Sequence, residues 1–124
     1  MGRDTLSCLE KRDLLNHSVV SVDTLLAWGE RYEQSGFIND AVDFYEKAKA
    51  QDALTRLLAR VIGEGDVFLF NRITRAMGNE VEPDEWLSLA KTAEDCGKFS
   101  FAAEAYRKSG QEEEALRCAD RAYL

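Results

Sequence analysis

The sequence is short of the residues that carry most catalytic and metal-binding functions. It has one histidine, His17, and three cysteines, Cys8, Cys96 and Cys118, which are odd in number and widely spaced. No pair of them has metal-ligand spacing, so free thiols in a reducing cytoplasm are expected. No serine–histidine–aspartate or cysteine–histidine arrangement accompanies the many carboxylates. The sequence therefore predicts no catalytic residues, no cofactor and no metal site.

Long apolar runs are also missing. No stretch approaches the roughly 20 apolar residues that a transmembrane helix needs. The opening residues, MGRDTLSCLEKRDLL, carry charges where a signal peptide requires an uninterrupted apolar core. A cytoplasmic protein that does not bind membranes is expected.

Positive charge is the third deficit. The chain has 16 lysines and arginines against 23 aspartates and glutamates, a formal net charge of −7. Direct binding to a nucleic-acid backbone needs a cationic face, so this function is disfavoured. The acidic excess permits a basic protein partner, and it also simply keeps a small domain soluble.

Helical periodicity is what the sequence does contain, with no alternation long enough for a convincing strand. Apolar spacings of three and four, N-capping residues and terminal glycines predict an all-α protein. Residues 1–20 form a lead-in segment with a possible short helix capped by Asp4 or Thr5. Seven further helices are expected at about 22–35, 37–49, 51–62, 67–77, 83–96, 99–109 and 112–123. The GEGD stretch at 63–66 lacks the lysine and strand of a phosphate loop, and is predicted to be a helix C-cap followed by an N-cap.

An internal repeat organises the chain. The stretch from Leu25 to Ala48 recurs, with substitutions, from Trp86 to Ser109, an offset of 61 residues. The offset pairs Gly36 with Gly97, Ala41 with Ala102, Tyr45 with Tyr106, and Gly29 with Ala90. Matched glycines and matched small residues are poorly explained by chance amphipathicity. Small residues at these positions predict a close crossing of two antiparallel helices, beside which Trp28, Tyr32 and Tyr45 fill space.

The repeated pattern of small residue, aromatic, glycine, alanine and aromatic resembles the tetratricopeptide repeat. The matching residues are Gly29, Tyr32, Gly36, Ile38, Ala41, Tyr45 and Ala48, then Trp86, Leu89, Ala90, Gly97, Phe99, Ala102 and Tyr106. The chain departs from the family in having Trp28 where leucine is usual and Ala93 where an aromatic is usual, and both copies lack the terminal proline. The resemblance implies antiparallel helical hairpins stacked as a short α-solenoid.

The resemblance also implies an organisation along the chain. A single helical-repeat domain, 1–124, would comprise five parts. These are the lead-in segment 1–20, a hairpin at 21–49, a degenerate hairpin at 50–78, a second clear hairpin at 82–110 and a capping helix at 111–124.

In tetratricopeptide arrays the first helix of each repeat lines a concave groove that holds a peptide or a partner helix. Carried over by position, the implied partner-binding residues are Asp23, Leu26, Glu30, Glu33 and Gln34, then Asp84, Leu87, Lys91, Glu94 and Asp95. Two equivalent leucines ringed mostly by acids suggest a surface for a basic, partly apolar segment. Reversing Glu30, Glu33, Glu94 and Asp95 to lysine is expected to weaken binding and to leave the fold intact.

The function expected from these features is that of a protein-binding adaptor, not an enzyme. An acidic inhibitor or nucleic-acid mimic that occupies a basic site is an alternative. A self-associating structural unit is another, because a short helical array leaves apolar ends that a second copy could cover. The lysine and asparagine set with which some family members clamp a C-terminal carboxylate is missing, so capture of an acidic chaperone tail is disfavoured.

Overall fold

Eight α-helices and no strand are present in residues 5–17 and 19–123, the part of the chain that a computed structural model describes. They are α1 (Cys8–Asn16), α2 (Val22–Gln34), α3 (Ile38–Ala48), α4 (Gln51–Glu64), α5 (Val67–Met77), α6 (Pro83–Asp95), α7 (Phe99–Lys108) and α8 (Glu112–Ala122). The predicted all-α class is confirmed. One helix lies in the lead-in segment and seven follow it.

The helix in the lead-in segment starts later than expected. Ser7, not Asp4 or Thr5, is the N-cap of α1, and its hydroxyl accepts a hydrogen bond from the Glu10 backbone N–H. The Glu10 carboxylate in turn accepts one from the Ser7 backbone N–H, which completes a capping box. Asp4 lies outside the described residues. The reciprocal bonds satisfy two of the free donors at the start of the helix, so Ser7 is the better cap.

The chain divides into two compact units, 1–55 and 56–124, with the division inside α4. In the first unit α2 packs along α3, and α1 packs against α3. The core of this hairpin is aromatic, since Tyr32 stacks on Phe44 with ring centroids 5.5 Å apart. The spacing of Val22 predicts a place on the buried stripe of α2, but this residue is 53% exposed because it lies in the first turn, at the end of the hairpin.

In the second unit α7 packs against α5, α6 and α8, and α5 also contacts α6. Phe70 on α5 meets the Trp86 ring edge-on, with centroids 5.1 Å apart. Asp66 caps α5 by accepting a hydrogen bond from the Leu69 backbone N–H. Gly65, just before it, adopts φ +66°, and a Cβ there would lie 2.7 Å from the Ala93 backbone. The GEGD stretch therefore joins α4 to α5, as the sequence predicts.

The two copies of the repeat turn in the same way. Gly36 (φ 85°) and Gly97 (φ 74°) follow α2 and α6 in left-handed conformation. In each copy the backbone N–H of the residue after the glycine donates a hydrogen bond of 2.9 Å to a backbone carbonyl of the preceding helix. The carbonyl belongs to Tyr32 in one copy and to Ala93 in the other. The correspondence continues beyond the repeat that the sequence shows. Lys49 ends α3 in a left-handed conformation with φ 56°. Gly110, which lies 61 residues later, ends α7 in the same way with φ 85°.

The close approach inside the first hairpin is between Gly29 and an aromatic ring. A Cβ on Gly29 would lie 2.6 Å from Cε1 of Tyr45, so the glycine makes room for this ring more directly than for Ala41. Tyr45 is 1% exposed and cannot move aside freely. Trp28, expected to fill space beside the crossing, is only half-buried, with the Arg31 guanidinium 4.9 Å from its ring centroid.

Substituting Gly29 by alanine should therefore lower the free energy of unfolding by about 1–3 kcal/mol, because the new methyl group overpacks the buried Tyr45 ring. Gly63 supplies the matched control. It lies in α4, and no atom lies within 4 Å of the position that a methyl group would take, so Gly63→Ala should raise the free energy of unfolding by up to about 1 kcal/mol through helix propensity. Urea unfolding of both variants measures the effects, and equal effects of the two substitutions would contradict the proposed packing.

Candidate functional site

The first set of predicted partner-binding residues lies along α2. Ser21 caps this helix by accepting a hydrogen bond from the Thr24 backbone N–H, and Asp23 follows in the first turn, where the helix dipole favours negative charge. Asp23, Glu30 and Gln34 are exposed, and Leu26 is half-buried. A half-buried leucine is thus accompanied on the same helix by exposed polar and acidic side chains.

Glu33 differs from the other residues of this set because its carboxylate is engaged inside the hairpin. It accepts a hydrogen bond of 2.8 Å from the hydroxyl of Tyr45, which lies on α3. Glu33 is itself half-buried. The bond satisfies the polar tip of an otherwise buried tyrosine and ties the end of α2 to α3. Glu33 therefore has a structural task in addition to its predicted place on the surface.

The second set lies along α6 in the same pattern. Pro83 is the first residue of this helix, and Asp84 and Glu85 follow in its first turn. Asp84, Lys91 and Asp95 are exposed, and Leu87 is half-buried, as Leu26 is on α2. The one reversal of charge between the sets is Lys91, which stands where α2 has Glu30.

Glu94 repeats the tie that Glu33 makes. It accepts a hydrogen bond of 2.8 Å from the Tyr106 hydroxyl, and both partners lie 61 residues after their counterparts in α2 and α3. In this copy a third helix joins, because Arg117 on α8 donates to both oxygens of Glu94, at 2.5 and 3.0 Å. Such a two-pronged guanidinium–carboxylate pair fixes geometry as well as charge.

These contacts perturb the titration of the groups involved. Hydrogen bonds from Arg117 and Tyr106 hold the pKa of Glu94 below its ordinary value of 4.5. Burial, together with the hydrogen bond to the Glu94 carboxylate, raises the pKa of Tyr106 to about 12. Burial also raises the pKa of the Cys118 thiol. Glu94 is thus held ionised and Tyr106 neutral, which is the combination that keeps their hydrogen bond intact.

The tyrosine–glutamate ties are absent from the expectations drawn from the sequence, although a signal for them exists. Tyr45 and Tyr106 match at the offset of 61, and Glu33 and Glu94 match at the same offset. Within each pair the tyrosine follows the glutamate by 12 residues. The glutamate therefore lies in the last turn of one helix, and the tyrosine lies in the third turn of the next. The helical pattern by itself predicts only surface charge at these glutamates, because it does not bring a buried hydroxyl to them.

Two of the four residues chosen for charge reversal, Glu33 and Glu94, are engaged inside the protein. Reversal of Glu33 and Glu94 to lysine would place an ammonium against a tyrosine hydroxyl in both hairpins, and against Arg117 in the second. A variant carrying these reversals is therefore expected to lose stability as well as surface negative charge. Among the described residues, the exposed acids Glu30 and Asp95 make no side-chain hydrogen bond or ion pair, so they are the appropriate positions for charge reversal.

Within residues 5–17 and 19–123, no group of three or more histidine, cysteine, aspartate or glutamate side chains is arranged to hold a metal ion. Among the helices described, none is both long and apolar enough to cross a bilayer. Cys8 and Cys96 are exposed free thiols, and Cys118 is a buried one.

The structure defines an all-α protein in which neighbouring helices pack as hairpins, an arrangement consistent with the helical-repeat class. Comparison with known proteins goes no further, because no family model, curated protein or solved structure matches the sequence significantly.

Neutralising Glu94 should make the stability of the second unit depend less on pH. The folded state lowers the pKa of Glu94, so its contribution is fully present above the ordinary value of 4.5 and is lost as the pH falls through the folded value. Wild type should therefore exceed Glu94→Gln in stability at pH 7, and the difference should shrink below about pH 4.5.

Urea unfolding at pH 7 and at pH 3 measures this difference. Asp95→Asn, at the exposed neighbouring carboxylate, serves as the control and should show no comparable change. A difference between wild type and Glu94→Gln that stays constant down to pH 3 would count against the assigned tie.

Proposed function

We propose that this protein is a tetratricopeptide-like adaptor of the cytoplasm that binds another protein through a basic, partly apolar segment. The observation that carries the proposal is the surface pattern that α2 and α6 have in common. Each helix presents one half-buried leucine, Leu26 or Leu87, with an exposed acid one turn before it. The resemblance of the sequence to tetratricopeptide repeats supports the proposal, because the first helix of a repeat is the partner-binding helix in that family.

The surfaces of α2 and α6 suit partner binding because both helices are held in place by the rest of the hairpin. Both helices are tied at their ends to the following helix by a tyrosine–glutamate hydrogen bond of 2.8 Å. Both are followed by the same left-handed turn. A surface held in this way loses little conformational entropy when a partner binds, so more of the contact energy appears as affinity.

The distribution of charge supports an adaptor over a nucleic-acid mimic. A mimic would present its carboxylates to a basic site, but several are engaged within the chain. Glu33 and Glu94 accept bonds from tyrosines, and Asp40 and Asp43 hold the Lys11 ammonium. The acids that remain exposed on α2 and α6 accompany leucines, a combination that favours an amphipathic partner.

The double reversal Glu30→Lys and Asp95→Lys should weaken partner binding at least about tenfold, because it replaces attraction of a basic segment by repulsion. Glu80→Lys with Asp120→Lys is the matched control. It changes the net charge by the same amount at two other exposed positions. Partners recovered from cell extract by wild type and by both variants would be quantified by mass spectrometry, at low and at raised salt.

The proposal requires a set of proteins that is retained by wild type and by the control pair but lost in the Glu30/Asp95 variant and at raised salt. Equal recovery by all three forms at both salt concentrations would rule out the acidic α2 and α6 surfaces. Circular dichroism checks that the variants remain folded. Self-association of the wild type in sedimentation velocity, with no partner recovered, would favour the structural-unit alternative.

A further inference from the structure

The first helix, α1, buries no side chain and is linked to α3 by polar contacts. None of its residues is buried, and Leu9 is 61% exposed. The side chains that it turns inward are only half-buried, and they lie on one face at helical spacing: Lys11, Leu14 and Leu15. Apolar burial normally secures a helix of this length, because an isolated helix of nine residues is not stable in water.

Polar links connect α1 to α3. The Lys11 ammonium lies between two carboxylates of α3, 2.5 Å from Asp40 and 2.7 Å from Asp43. Burial lowers the pKa of Lys11, but hydrogen bonds to Asp40 and Asp43 outweigh this effect and raise the pKa above its ordinary value of 10.5. Lys47 on α3 donates a hydrogen bond to the Leu15 carbonyl, which lies near the end of α1.

Open surface grooves border α1 on both sides. One of about 330 Å³ lies between α1 and α3, and its lining includes Cys8, Leu15 and Asp40. Another, of about 480 Å³, lies along the other edge, and its lining includes Leu6, Leu14 and Val20. Because α1 buries no residue, its contact with the hairpin is less extensive than the contact between α2 and α3, which bury Leu25, Tyr32 and Phe44.

We propose that the face of α3 bearing Asp40 and Asp43 is a docking site for a basic amphipathic helix of another protein, and that α1 occupies it as an exchangeable segment. Lys11 shows which chemistry the site accepts, since one ammonium fits between the two carboxylates. Leu14 and Leu15, both half-buried, show that the site also accepts apolar side chains. An incoming helix would carry a lysine or arginine followed, three and four residues later, by leucines.

The energetic balance makes exchange feasible. Ion pairs with partly exposed side chains contribute only modestly to stability, and salt weakens them further. In this pair the side chains of Lys11 and Asp40 are 20% and 34% exposed. A longer amphipathic helix would restore the same charge contacts and would also cover the bordering grooves. This site is on α3 and does not depend on the α2 and α6 surfaces proposed above.

The first test asks whether Lys11 holds α1 in place. In the full chain, Lys11→Gln should speed hydrogen exchange of the α1 backbone amides by about tenfold, because two charge-assisted hydrogen bonds are lost. Arg12→Gln is the matched control, since Arg12 is exposed and pairs only with its exposed neighbour Asp13, at 3.8 Å, among the described residues. Amides in α2 and α3 report that the hairpin stays folded. Unchanged exchange of α1 in Lys11→Gln would overturn the proposal.

The second test uses a fluorescent peptide with the sequence of residues 5–20 as the probe. It should bind the full-length Lys11→Gln protein at least about tenfold more tightly than the wild type, whose site is already occupied. Adding Asp40→Asn and Asp43→Asn to that protein should abolish the gain. Equal peptide affinity with and without the two aspartates would overturn the proposal, as would a wild-type dimer formed by exchange of α1 between two copies.

Discussion

The structure depends on the close crossing of two helices around a buried tyrosine ring. In the first hairpin Tyr45 lies against Gly29, where a single methyl group would overlap the ring, and its hydroxyl reaches the Glu33 carboxylate. One side chain thus fills the crossing with its ring and satisfies its polar tip at the edge. The second hairpin repeats the bond with Tyr106 and Glu94, and it adds Arg117 from the next helix.

The two copies share this constraint and differ at many other positions. Trp28 and Leu89 occupy equivalent positions but differ in size and exposure, and Glu30 and Lys91 differ in sign. Neither pair takes part in the tyrosine–glutamate bond. What both hairpins keep is the tyrosine, a small residue at the position of Gly29, the glutamate near the helix end and the left-handed glycine. Helical hairpins of this kind need few specified contacts, because each helix packs mainly on its neighbour.

The helices could be predicted from the sequence because local signals determine them. Ser21, Gly36, Asp66 and Pro83 each act on the backbone within one turn. The extent of burial was less predictable. Val22 has the right spacing for a core residue but lies at an open helix end, where its neighbours decide its exposure. The ties from glutamate to tyrosine were missed because a carboxylate on an acidic surface is ordinarily solvated, and only the fold brings a tyrosine hydroxyl to it.

Two kinds of acid therefore coexist in this protein, some engaged by tyrosine, lysine or arginine side chains and some exposed beside leucines. The tyrosine–glutamate bond is the element that both hairpins share, and a double-mutant cycle tests its contribution most directly. The cycle combines Tyr45→Phe with Glu33→Ala in one copy and Tyr106→Phe with Glu94→Ala in the other. Unfolding in urea should give a coupling energy of about 1 kcal/mol in each copy. A coupling energy indistinguishable from zero in either copy would contradict a shared stabilising bond.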